Sequence, residues 1–222
     1  MVDGDFVKNY ALPLNLYKYR TVTPNSIDAL RRDVLYFAPF AAMNDPMEGF
    51  FERSKTAAQK TNEVDWDIGD LKADLGLCCL SEDRSIDLMW VHYAGNFNGF
   101  CLEYNFTRLG RALRGEVEAI RVAYVRDKPT LYVRDVFDKE AAARKVLSCK
   151  KDVWAYEKEW RLIARRTGAF EVGDALDGIY IGPRTPAADA DVLTEIGRQK
   201  KVDVWRVVVD GYRLRTESVH RA

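Results

Sequence analysis

The stretch Val153–Arg166, VWAYEKEWRLIARR, sets Glu157 and Glu159 two residues apart, among Trp154, Tyr156 and Trp160 and just ahead of an apolar run. Residues two apart diverge on a helix and share a face on a strand, so a strand here aims both carboxylates one way. Tyr156, Lys158 and Trp160 then point the other way. Two like charges side by side raise each other's pKa unless water or a ligand relieves them. The pair is either a solvated strand start, with Lys158 and Arg161 neutralising nearby charge, or a pair of carboxylates aimed at a ligand. The stretch alone favours the first.

A second group lies in Met89–Tyr104, MWVHYAGNFNGFCLEY, where His92 stands beside Trp90, Tyr93, Asn96, Phe97, Asn98 and Gly99. Aromatic side chains around a glycine-containing turn suit a flat ring. Trp90 and Tyr93 are also three apart on a predicted helix, the spacing of core residues. For Trp90 the core reading is the better one; for His92 and Tyr93 the two readings stand level. In LYKYR, Leu16–Arg20, a strand puts Lys18 and Arg20 on one face and Tyr17 and Tyr19 on the other. Such a basic pair can hold a phosphate, bidentately through Arg, or can protect an edge strand. Walker and GxGxxG patterns are absent, which argues against a kinase, a P-loop ATPase or a Rossmann dehydrogenase. No nucleophile elbow or Asp-His-Ser arrangement is visible.

The elements that must position these residues read as seven or eight short strands with three to four helices. Thr23 or Asn25 can cap a short helix after LYKYR, VLYFAPF is a strand stopped by Pro39, and GLCCLSE, GFCLEYNF, AIRVAYV, EWRLIA and GIYIGP are further strands. Helices are predicted over Ile86–Tyr93, Phe106–Arg114, roughly Val136–Cys149 and DADVLTEIGRQK, with a final hairpin turning at Asp210-Gly211. Regular strand–helix alternation is missing, so the expected class is α+β with mostly antiparallel sheets.

A chain of 222 residues predicts a single domain over 1–222, with a mobile insertion over 52–75 where the pattern is polar and vaguely helical. Lys+Arg 34 balances Asp+Glu 34, which argues against nucleic-acid binding through the whole surface. Cys78, Cys79, Cys101 and Cys149 form no CxxC pair, so reduced thiols in a cytoplasmic protein are expected and a zinc site is not. The N-terminus lacks the pattern of a signal peptide, and no apolar run approaches the ~20 residues that cross a bilayer; a soluble protein without membrane contact is the expectation.

Taken in order, LYKYR, LYFAPFAAMNDPMEG, LCCLSE, LMWVHYAGNFNGFCLEY, VAYV and WAYEKEWRLI resemble the bacterial family catalogued as domain of unknown function 2971 (DUF2971), from about Leu16 to Gly182. The most specific pieces are Asn44-Asp45-Pro46, Met89-Trp90 with His92-Tyr93-Ala94, and Glu157 with Glu159-Trp160-Arg161. That family name asserts no function. More distantly, the layout is similar to ADP-ribosyltransferases, which pack two antiparallel sheets and draw Arg or His, then Ser or Tyr, then a late Glu-x-Glu from successive strands. Arg20, then Ser81 or His92-Tyr93, then Glu157 and Glu159 follow that order, although Ser81 lies in LSE and not in the usual Ser-Thr-Ser.

This second resemblance implies an ADP-ribosyltransferase-like fold and an ADP-ribosyltransferase or NAD glycohydrolase that uses NAD as substrate and no metal. Glu159 would bind the ribose hydroxyl and stabilise an oxocarbenium-like centre, and Glu157 would orient or deprotonate the acceptor. Arg20 would hold the pyrophosphate, Tyr93 would stack on nicotinamide, and Tyr19, Ser81, Trp90 and His92 would complete the nucleotide site. A bacterial toxin or phage-defence effector with an antitoxin or immunity partner is the corresponding expectation, the acceptor being left open. Two rivals stand beside it. One is a non-catalytic nucleotide- or peptide-binding module of the same fold. The other is a nuclease with Glu157, Glu159 and Asp45 around Mg²⁺.

Overall fold

The computed structural model describes residues 12–62 and 67–222. In chain order these form β1 (Asn15–Arg20), α1 (Pro24–Arg31), β2 (Val34–Pro39), β3 (Glu52–Arg53), α2 (Lys55–Asn62), α3 (Gly69–Asp74), β4 (Gly76–Ser81), α4 (Asp87–Tyr93), β5 (Phe100–Asn105) and α5 (Phe106–Ala112). There follow β6 (Val117–Arg121), β7 (Ala123–Val125), β8 (Thr130–Leu131), α6 (Val133–Val136), α7 (Lys139–Leu147), β9 (Cys149–Lys151), β10 (Glu159–Ala164), β11 (Gly168–Glu171), β12 (Leu176–Ile181), α8 (Ala187–Lys200), β13 (Asp203–Asp210) and β14 (Arg213–His220). The α+β class is as expected. Eight α-helices among the described residues exceed the expected three to four, because α2, α3 and α6 are short and polar and leave little periodic signal. Residues 52–75 hold β3, α2 and α3, with Ala57 and Ile68 fully buried; 63–66 lie outside the described residues.

The large sheet runs β11-β2-β4-β1-β5-β12-β13-β14, with β10 against β4 and β6 against β10. Within it only β12 and β13 pair in parallel, joined by α8 as a parallel crossover requires. The expected strand AIRVAYV is two strands, since β6 pairs with β10 and β7 turns away to pair with β9. No helix among the described residues is long and apolar enough to cross a membrane.

Alternation sorts the strand residues to two sides. Leu16, Leu80, Leu102, Trp160 and Leu162 enter the main core with Leu30 of α1, Leu109 of α5 and Leu193 and Ile196 of α8. Tyr17, Tyr19, Cys101 and Tyr180 face the opposite side, where α4 lays Met89 and Trp90 on them. Further along that side Leu77 and Ile163 meet Leu147 of α7. Each such buried side chain contributes roughly 1.5–3 kcal/mol. Because β10 lies between β4 and β6 with a core on one face and α7 on the other, all six of its residues are buried. A carboxylate at its first position is therefore forced inside.

Candidate functional site

β4 is paired along one whole edge by β10. Its other edge is shared: β1 meets it only at Tyr17↔Ser81, and β2 only at Ala38↔Leu77 and Pro39↔Gly76. Between those ends β1 and β2 part, leaving a gap beside Cys78–Leu80. A strand carbonyl left without its ladder partner needs another donor, and Lys18 Nζ reaches the Cys79 carbonyl at 2.5 Å. A cavity of about 190 Å³ opens into this gap. Tyr17–Arg20 of β1, Tyr36 and Ala38 of β2, and Leu77, Cys79 and Leu80 of β4 form its walls; Tyr93, Glu48, Lys150, Glu157 and Glu159 close its far end.

The two glutamates do not share a strand face. Asp152–Glu157 is a 3-10 turn, Lys158 is left-handed at φ 45° and ψ 48°, and Glu159 opens β10. This kink brings both carboxylates to one ammonium, with Lys150 Nζ 2.6 Å from Glu157 Oε2 and 3.3 Å from Glu159 Oε2. The solvated strand start is overturned, since Glu157 and Glu159 are 2% and 3% exposed. Lys158 instead pairs with Asp83 at 3.0 Å. Arg161 does neutralise charge: its Nε and Nη2 donate to Glu159 Oε1 at 2.9 and 2.8 Å, and its Nη1 donates to the Leu147 carbonyl at 2.6 Å.

A third carboxylate joins them. Glu48, carried in on the Asn-Asp-Pro segment, lies 3.2 Å from Lys150 Nζ through Oε1 and 2.8 Å from Arg161 Nη2 through Oε2, the latter without hydrogen-bond geometry. Tyr93 donates to Glu157 Oε1 at 2.6 Å and accepts from Asn44 Nδ2 at 3.3 Å. Three carboxylates against two cations leave the end of the cavity one unit negative when all are ionised. Their environments drive the pair apart. Burial pushes the Glu157 carboxyl up, and Lys150 and Tyr93 offset only part of that. Burial also pushes on Glu159, but Arg161 and then Lys150 outweigh it and hold that carboxyl at about 2. Burial would lower the Lys150 ammonium, yet Glu159, Glu48 and Glu157 raise it, so it stays charged.

Arg20 lines the cavity, and its side chain makes no hydrogen bond or ion pair among the described residues. β1 is paired with β5 along its whole length but leaves β4 after Tyr17, so Lys18 and Arg20 lie on the unpaired stretch that faces the gap. Tyr19 also lines the cavity, while its hydroxyl donates to the Asp83 carbonyl at 2.8 Å. The Ser81 hydroxyl is fully buried and donates to the Glu157 backbone carbonyl at 2.7 Å, so it braces the turn from behind. Trp90 is 0% exposed, with its indole N–H on the Arg84 carbonyl at 2.8 Å and its ring against Tyr19, a core placement. His92 lies on the exposed side of α4 outside the cavity, its ring 6.2 Å from Trp154 and 6.4 Å from Tyr156.

Asp45 is not among the residues that line the cavity, and its carboxylate accepts from the Met47 amide at 2.9 Å. Among the described residues no group of three or more His, Cys, Asp or Glu is arranged to hold a metal; at the glutamates an ammonium already occupies the centre. Glu48 and Lys150 escape sequence reasoning because neither stands near a carboxylate partner at a telling spacing. The only sequence signal for Glu48 is its place in the Asn-Asp-Pro segment.

The model of the family described as "Protein of unknown function (DUF2971)" matches residues 89–162, a span that runs from α4 into β10 and carries Tyr93, Lys150, Glu157 and Glu159. No curated protein matches the chain. Among solved structures, Thermus sp. 2.9 DarT in complex with ADP-ribosylated ssDNA aligns at 14% identity and a TM-score of 0.39, over 86% of this chain and 90% of its own.

Proposed function

We propose that the chain is an NAD-using ADP-ribosyltransferase-like enzyme whose reacting centre lies against Glu157 and Glu159. The observation that carries this reading is the buried pair on one ammonium, with Glu159 held ionised and Glu157 pushed up. Where an environment drives two carboxyls apart, one serves as fixed charge and the other exchanges a proton. In the proposed step the C1′–N bond of NAD breaks and its electron pair leaves with nicotinamide. Positive charge then grows on the ribose, as in glycoside hydrolysis. The net negative charge at the end of the cavity, pre-set and shielded from water, stabilises it. Glu159 supplies that charge and accepts the ribose hydroxyl, Glu157 takes the acceptor's proton as its lone pair closes on C1′, and Arg20 holds the pyrophosphate bidentately. Tyr93 flanks the nicotinamide side. A bacterial toxin or antiviral role, restrained by an antitoxin or immunity partner, belongs to this reading through the sequence resemblance alone.

One observation favours a non-catalytic nucleotide-binding module instead: Glu159 already receives two donors from Arg161, one from Lys150 and the Cys79 thiol. Nicotinamide release from NAD decides between them. The wild type is expected to release nicotinamide, and folded Glu159→Gln and Glu157→Gln to lose roughly 100-fold or more. Saturable NAD binding without release would favour the module, and absence of both would sink the two readings together.

A further inference from the structure

We infer that Lys150 is a positioning residue: an internal counter-cation, locked by Glu48, that holds the fixed charge of Glu159 and the base Glu157 together. The geometry carries this. An ammonium has three donors, and Lys150 Nζ meets three carboxylates, Glu157 at 2.6 Å, Glu48 at 3.2 Å and Glu159 at 3.3 Å. The Trp154 ring covers it at 5.0 Å, a favourable place for a desolvated cation. Its side chain is 4% exposed, so water does not compete for those donors.

The division of labour is unequal. Arg161 pairs with Glu159 and Glu48, and Glu157 has Lys150 as its cationic partner. The groups that face Glu157 from each neighbouring element are Tyr93 of α4, Glu48 of the loop after β2, Tyr124 of β7, Lys150 of β9, and Glu159 and Arg161 of β10, with Tyr156 on its own turn. Lys150 is the only cation of that set in contact with it. Without Lys150 the two glutamates would be like charges in a buried space, and one of them would stay protonated. Glu48 extends the device, because it ties the Asn-Asp-Pro loop at the cavity wall to the same ammonium.

The inference rests on the proposed activity only for its rate measurement. Lys150→Met alone leaves buried carboxylates without their ammonium, so it is paired with Glu48→Gln in one double variant, which removes one charge of each sign. Nicotinamide release from NAD is followed against pH in wild type, Lys150→Arg and the double variant. A base must be ionised, so the rate rises with pH through the Glu157 titration. In the double variant that rise is expected to move up by roughly one unit or more, a tenfold loss on its acid side; Lys150→Arg keeps its position. Independently of turnover, the Glu157 carboxyl is titrated by ¹³C resonance in glutamate-labelled protein, its signal identified by loss in Glu157→Gln. The same upward move is expected there. A folded double variant with an unmoved carboxyl titration would overturn the role of Lys150. A wild type that releases no nicotinamide would count against the enzymatic reading alone, with the carbon titration still deciding for Lys150.

Discussion

Glu159 sits beside a fully buried guanidinium, and that contact links its charge to the stability of the fold. Its carboxyl is held at about 2 against an ordinary 4.5, so its contribution is complete above 4.5 and is lost as the pH falls towards 2. The size is about 3 kcal/mol. Glu157 acts with the opposite sign: its folded pKa is raised, so its contribution is present in acid and lost as the pH rises through the folded value. Urea unfolding of wild type and Glu159→Gln is therefore expected to show a gap that narrows by about 3 kcal/mol between about pH 6 and pH 2. A gap that stays constant over that range would mean Glu159 is not held ionised. Glu157 and Glu159 were visible from their spacing. Their burial was not, because a strand-start glutamate beside Lys158 and Arg161 reads equally well as solvated.

Elements with strong alternation or a clear cap were legible. β1, β2, β4 and β5 follow their apolar patterns, and α1 begins at Thr23, whose side chain accepts from the Ser26 amide as a capping residue should. α7 begins later than its alanine-rich pattern suggested, because Asp138 caps it through the Ala141 amide. The turn before β10 was hidden. Tyr156-Glu157-Lys158-Glu159 alternates like a strand, yet Tyr156 and Glu157 close a 3-10 turn, Lys158 is left-handed and only Glu159 enters β10. A left-handed residue costs roughly 1–2 kcal/mol when it has a Cβ and more when it is β-branched. Lys158→Gly is thus expected to melt no lower than wild type, with the loss of its surface pairing to Asp83 a minor effect. Lys158→Val is expected to lose about 1–2 kcal/mol and to weaken NAD turnover by displacing Glu157. Equal melting of the two variants would show that the kink is not held.

At the scale of the whole molecule, the site exists because β1 and β2 share one edge of β4 without meeting along it. The gap is a product of strand order, and β1, β2 and β4 come from separate parts of the first 81 residues. Ala38 stands on its β2 wall, partly exposed to the cavity. Ala38→Trp is expected to fill much of the roughly 190 Å³ space and to abolish NAD binding measured by calorimetry. Its thermal melt is expected to stay close to wild type, because a side chain growing into open space displaces no core. Undiminished binding by the folded variant would place the ligand elsewhere.

Alternation, capping and residue type are local properties, and they were enough to read the α+β class, the main strands, the two glutamates and the order in which Arg20, Tyr93 and the glutamates arrive. The fold had to be seen to find that Glu48 and Lys150 join the glutamates, that Ser81 braces a backbone carbonyl and that His92 stays outside the cavity, whereas the core place of Trp90 was already the better reading of its helical spacing. The difference is one of range. Glu48, Tyr93 and the run from Lys150 to Glu157 lie on three separate stretches, and their meeting depends on a sheet order and a left-handed kink that no local pattern encodes. A buried charge is stable only where such a meeting supplies its partners.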